Sequence, residues 1–174
     1  TKSASIQTLR AHVERSILQG HRPDVLMIDY ADIMRSTRHY EAPRFELSAI
    51  YEELRNLAMD LEIPIWTASQ SNRESANSDI VGLANMSESY GKAFVADVVI
   101  SLSRKPSEKS SGLGRVFIAK NRAGRDGVVF PMKMDTATST MIILDESSSL
   151  DEIHAADERS YKDAMRDKMR SIGV

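Results

Sequence analysis

Apolar residues fall in two rhythms along this chain. In the first half, helical spacing alternates with unbroken apolar runs. Ile6, Leu9, Val13, Ile17 and Leu18 share one helical face, which predicts a helix over Ser3–Leu18 ended by Gly20. Val25–Ile28 is a continuous apolar run, the pattern of a strand buried on both faces. Arg35–Ala42 is polar and basic and reads as a loop. Pro43 suits a first helical position, and Phe45, Ile50, Leu54, Leu57, Ala58 and Leu61 trace one face of the helix it opens. A second buried strand is expected at Ile63–Ala68 and a third at Phe94–Leu102, with a long Ser- and Asn-rich loop, Ser69–Ser89, between them.

The second rhythm begins after Lys105–Gly114, which reads as a flexible turn. The segments 115–120, 127–134 and 141–144 are short and apolar and are joined by "NRAGRD" and "DTATST". These are hairpin spacings. Helix–strand alternation with short joints predicts crossover units and a parallel sheet, and the hairpins predict antiparallel strands at its end. The expected fold class is therefore α/β, mainly parallel and flanked by helices. From Ser147 the chain turns polar and charged. Tyr161, Met165, Met169 and Ile172 form a narrow stripe, and Glu158 and Lys162 stand at i,i+4. This predicts a core domain over 1–146 and a helical tail over 147–174.

Composition changes this picture little. The 174 residues suffice for one domain with a real core, at 41% hydrophobic and 28% charged. Cysteine is absent, which removes any disulfide framework or thiolate metal site. No apolar run is long enough to span a membrane, and the first ten residues lack the apolar stretch of a signal peptide. A cytoplasmic location is the expectation. Net charge is −2, but it is segregated. Arg104, Lys105, Lys109, Arg115, Lys120, Arg122 and Arg125 face one acid, Glu108, across 104–125. Basic loops on a mildly acidic body suit contacts with phosphates at chosen places.

The candidate chemistry lies at strand ends, where open α/β sheets form their binding crevice. "VLMIDYADIM" carries an apolar strand straight into Asp29, with Asp32 three residues on. A carboxylate there can hold Mg²⁺ directly or through water. It can also simply cap the next turn. The second strand leads to Ser69 and Gln70, and a neutral amide can sense a phosphate or orient water. Lys120 and Arg122 stand on a hairpin tip, where a Lys and an Arg can reach a phosphate and offset developing negative charge. Each feature has a bland counterpart: a surface amide, a basic turn, core aromatics at Tyr30 and Trp66. Their order along the chain, each polar group after a buried strand, favours a nucleoside triphosphate site.

"VLMIDYADIM", "RFELSAIYEELRNLAMDLEIPIWTASQSNR", "ADVVISL" and "IAKNRAG" occur in the order seen in DnaB-like replicative helicases, a branch of the RecA-type motor ATPases, which the chain resembles over about Leu9–Leu144. "SESYGKAFVADVV" is most similar to the replicative helicases of T4-like bacteriophages. The resemblance implies a RecA-like ATPase core, lacking here its phosphate-binding loop. It implies a ring, with six subunits around single-stranded DNA and ATP with Mg²⁺ at subunit interfaces. In that scheme Asp29 is the Walker B carboxylate that holds the metal through water, and Ser69 lies beside the nucleotide. Gln70 couples nucleotide state to the DNA loops. Lys120 and Arg122 act as piston lysine and arginine finger on the neighbouring subunit's nucleotide. The loops 35–44 and 71–90 face the channel, with Arg38, Arg44, Asn72 and Arg73 as DNA contacts. Such binding should be salt-dependent and nearly blind to sequence. Primase and a helicase loader are implied partners, and the host cytoplasm is the implied location if the protein is phage-encoded.

The chain contains no G-x-x-x-x-G-K-[ST]. The phosphate-cradling loop is expected upstream of Thr1, so these 174 residues alone should not hydrolyse ATP. Two other readings fit parts of the pattern. A phospho-accepting receiver domain would use Asp29 as acceptor and Thr67 as switch, but it needs an early acidic pair that is missing. A RecA-type recombinase or repair ATPase shares "KNRAG". The motor scheme requires Asp29, Gln70, Lys120 and Arg122 to line one rim of the sheet, the two cations aimed at a sister molecule.

Overall fold

The computed structural model describes residues 4–145 and 149, apart from 39, 73, 74, 76 and 86–90. The expected tail helix and the contact residue Arg73 lie outside the described residues. The chain forms two compact units, each assembled from separate stretches. The first takes in described residues of 1–73, 82–99 and 120–124; the second takes in those of 74–81, 100–119 and from 125 onward.

The first unit opens with helix α1, Ile6–Leu18, whose N-terminus is capped by the Ser5 hydroxyl accepting from the Thr8 amide. Strand β1, Leu26–Ile28, passes through a 3-10 turn, Ala31–Ile33, to helix α2, Pro43–Leu61. Proline at the first position of α2 loses nothing, since its missing N–H would have no partner there. Strand β2, Ile65–Thr67, comes next and pairs parallel with β1, Leu26 opposite Ile65 and Ile28 opposite Thr67. A second 3-10 turn, Leu83–Asn85, precedes the short helix α3, Gly91–Val95.

The core of this unit is the inner face of α2 with the side chains packed on it. Ile50 and Leu57 are wholly buried, and Ile6, Ala31, Tyr51 and Leu54 complete the cluster. Ile28 and Ile65 lie against it from the strands. Alternation along a strand then turns Met27 and Trp66 the other way, where they are 81% and 53% exposed. The runs expected to be buried on both faces are thus covered on one.

Strand β3, Val98–Ser103, starts four residues later than the apolar run predicts. The first two residues of "FVADVVISL", Phe94 and Val95, form the end of α3. A second sheet has the order β3-β4-β5-β6, with β4 at Leu113–Asn121, β5 at Val128–Asp135 and β6 at Thr140–Ile143. The hairpins β4–β5 and β5–β6 are antiparallel, as their spacing predicts. The third strand is therefore hydrogen-bonded beside β4 and not to the parallel pair β1–β2, where the helix–strand alternation predicts it.

Within the second unit, the predicted flexible turn at Lys105–Gly114 is pinned by charge. Glu108 accepts from Arg115 at 3.0 and 2.7 Å and from the Lys105 amide at 2.8 Å. Asp79 pairs with Lys105 at 2.6 Å and with Arg115 at 3.1 Å. Gly112 is required where it stands: its φ is +70°, and a Cβ there would lie 2.6 Å from the Met134 carbonyl oxygen.

Candidate functional site

Parallel pairing fixes the geometry of the first two candidates. Ile28 stands opposite Thr67, so both strands leave the sheet at the same end. Asp29 emerges from one, Ser69 and Gln70 from the other. The Thr67 hydroxyl binds the two exits together, donating to the Ile28 carbonyl at 3.0 Å and accepting from the Ala31 amide at 2.9 Å. Asp29 is exposed, and its carboxylate has no hydrogen-bond or ion-pair partner among the described residues. The Asp29–Tyr30 peptide is cis. Gln70 is exposed, and its side-chain amide donates to the Tyr30 hydroxyl at 3.4 Å. The structure thus brings Asp29, Ser69 and Gln70 together.

Lys120 and Arg122 do not line that rim: Lys120 is on β4 and Arg122 just past it, and β4 belongs to the second sheet, not to the β1–β2 pair. The Lys120 ammonium donates to the carbonyls of Ala93 at 2.8 Å, Phe94 at 3.1 Å and Ala96 at 2.7 Å. All three of its N–H bonds close the C-terminal end of α3, where cations are favoured. Partial burial, then the nearby Arg122 guanidinium, lowers the Lys120 pKa from the ordinary lysine value. Arg122 is half exposed. Its backbone amide donates to the Asp97 carbonyl at 2.9 Å, and its guanidinium pairs with the Asp97 carboxylate at 2.9 Å. Asp97 also takes Arg55 of α2 at 3.0 Å. No hydrogen bond or ion pair among the described residues joins Lys120 or Arg122 to Asp29 or Gln70. One indirect connection runs through α2. Tyr51 reaches the strand exits, and Arg55, one turn further along the same helix, reaches Asp97.

The two candidate DNA loops make different internal contacts. In the first, Ser36 and Thr37 each donate to Glu53 of α2 at 2.9 Å, which anchors its base. Arg38 is exposed, and the exposed Arg44 lays its guanidinium over the Phe45 ring at 4.9 Å. Further on, the Asn72 amide donates to the Asn85 carbonyl at 2.8 Å, so its backbone is committed within the protein.

The sequence pattern does not reveal the polar centre behind these exits. Lys92 of α3 has no exposed surface. Its ammonium donates to the Asp32 carboxylate at 2.9 Å and to the Ser69 hydroxyl at 3.2 Å, and lies 5.5 Å from the Tyr51 ring centre. Asp32 also accepts from the Tyr51 hydroxyl at 2.7 Å and from Ser69 at 2.9 Å. Burial first, then the bond to Asp32, raises the Tyr51 phenol above the ordinary tyrosine range. A sequence signal exists nonetheless. Lys92 interrupts the run "GKAFVADVV", and Asp32 comes after Asp29 at a spacing that no cap requires. Ser69 is turned inward by this network, so its hydroxyl is occupied before any ligand arrives.

A hard cation fits Asp29 in one respect. An exposed, unpaired carboxylate at a strand exit is the oxygen donor that Mg²⁺ takes while keeping several waters. No group of three or more acidic or histidine side chains that could hold a metal occurs among the described residues. An ion there would complete its shell with water and phosphate oxygens.

Residues 1–141 match the DnaB-like helicase C-terminal domain family. The chain belongs to that family. A probable plasmid replicative DNA helicase of Chlamydia psittaci is 31% identical over 128 residues, which is 71% of this chain and 28% of the relative. The DnaB-like replicative helicase of Enterobacteria phage T4 is 30% identical over 106 residues, 59% of this chain and 22% of that protein. The chain thus spans about a quarter of the length of these curated relatives. Among solved structures, one ATPase domain superposes with a TM-score of 0.71 at 20% identity, covering 82% of this chain and 52% of that one. A DnaB-like replicative helicase, solved in a study of its interactions with primase, also gives 0.71 and covers 82% and 36%. The α/β fold is that of a RecA-like helicase ATPase domain. Family membership sets aside the receiver reading of Asp29 and Thr67. No helix among the described residues is long and apolar enough to cross a membrane.

Proposed function

We propose that this chain supplies part of the motor of a ring-forming replicative DNA helicase that hydrolyses ATP between subunits and moves on single-stranded DNA. The observation that carries this reading is the pair of polar groups, Asp29 and Gln70, at adjacent exits of a parallel strand pair. Asp29 would hold a hydrated Mg²⁺ through water. That ion, when bound, offsets charge on the β- and γ-phosphates. Gln70, hydrogen-bonded to Tyr30 next to Asp29, reports the state of the γ-phosphate to the chain beyond it. Arg122, half exposed and paired with the exposed Asp97, exchanges that carboxylate for the phosphate held by a sister subunit. Lys120 holds the end of α3, from which the chain runs on to Asp97, the partner of Arg122. Arg38 and Arg44 contact DNA phosphates from the first loop, and Asn72 and Arg73 from the second.

The decisive experiment uses a full-length protein carrying this chain. It should hydrolyse ATP, and single-stranded DNA should stimulate turnover. Asp29→Asn should abolish hydrolysis, and the 174-residue chain alone should show none. Turnover by the isolated chain that Asp29→Asn removes would contradict the reading.

A further inference from the structure

We propose that Lys92 is a positioning residue: its buried link to Asp32 and Ser69 couples the exits carrying Asp29 and Gln70 to the helix end that holds Lys120 and Arg122. This rests on the motor reading above and goes beyond it. Lys92 lies at the start of α3, and Ala93 and Phe94 of that helix, with Ala96 just past its end, supply carbonyls to Lys120. At the other side of the link, Asp32 comes after Asp29 on one strand exit, and Ser69 immediately precedes Gln70 on the other. A short helix held at one end by an ion pair and at the other by a lysine has few ways to move independently of either. Any shift of Gln70 that displaces Ser69 also pulls on the Lys92 ammonium.

A purely structural ion pair makes a different prediction from a coupling one. Removing one partner leaves a buried charge and should destabilise, whereas replacing both by neutral groups is often harmless to stability. The test therefore compares Lys92→Met, Asp32→Asn and the double variant in the full-length protein. Lys92→Met should lower the thermal midpoint, and the double variant should recover most of it. In the double variant, stimulation of ATP turnover by single-stranded DNA should still fall about tenfold, as expected for loss of a coupling link, while the KM for ATP changes by less than about threefold. The Arg122 amide, which donates to the Asp97 carbonyl, should exchange its hydrogen about tenfold faster. Lys92→Arg, which keeps the cation, should restore part of the stimulation. If the double variant fails to fold, Asp32→Asn alone, which keeps the shape, should show the same loss of stimulation at unchanged KM.

Wild-type stimulation and exchange in a stable double variant, or in Asp32→Asn, would overturn the inference and leave the motor reading intact. A wild-type protein with no DNA-stimulated turnover would overturn both.

Discussion

Two cations two positions apart illustrate how much a side chain's surroundings decide. Lys120 spends its three N–H bonds on carbonyls at the end of α3, whereas Arg122 is half exposed, its guanidinium paired with the exposed Asp97 carboxylate and 3.4 Å from the Phe94 carbonyl. Their substitutions should part accordingly. Lys120→Met should lower the stability of the chain by about 1–3 kcal/mol in urea unfolding, the usual cost of losing hydrogen bonds to a charged group. Arg122→Ala should leave stability nearly unchanged, because exposed ion pairs contribute little. In the full-length protein it should instead cut kcat by about a thousandfold with little change in nucleotide affinity, as loss of an arginine finger does. An equal loss of both would contradict a role in the reacting complex. The carboxylate at Asp29, the amide at Gln70 and the basic pair are legible in the sequence because each stands just past an apolar run. Lys92 and Asp32 leave fainter marks, a lysine beside an apolar run and a second carboxylate after Asp29, because the partners that define their role are brought by folding from other elements.

At the scale of elements, the period of the pattern is the dependable signal. Pro43–Leu61 spans the predicted helix, and the hairpin strands fall within two residues of their predicted bounds. Phe94–Val95 departs from the strand its pattern predicts because a short helix and a buried strand look alike in an apolar run; the lysine that closes α3 lies 24 residues downstream of its last acceptor, Ala96. The helix Pro43–Leu61 carries the core, so Leu57→Ala should cost about 2–5 kcal/mol in urea unfolding, the range for a fully buried leucine. The second unit has its own handle. Burial alone would raise the Glu108 carboxyl, but hydrogen bonds from Arg115 and the Lys105 amide overcome it and leave the pKa below the ordinary glutamate value. A depressed folded pKa gives stability that is present above the unfolded value, about 4.3, and lost as pH falls through the folded one. In urea unfolding followed against pH, the stability advantage of the wild type over Glu108→Gln should be full above about pH 4.3 and shrink as the carboxylate protonates below it. An advantage that does not change with pH would show that the charge on Glu108 is not its source.

For the whole molecule, the fold class and the family are legible in the order of the motifs, and the two exits come from parallel pairing. Trans action is a claim of another kind, because it concerns a surface completed by a second subunit. It assigns Asp29 to one side of each nucleotide and Arg122 to the other. Mixing two inactive full-length proteins, Asp29→Asn and Arg122→Ala, tests this directly. Each fails at all of its own interfaces, but a mixed ring contains interfaces where an intact Asp29 faces an intact Arg122. ATP turnover of the co-assembled mixture should rise well above the sum of the two proteins measured apart. Turnover no greater than that sum, in rings shown to contain both subunits, would contradict the account.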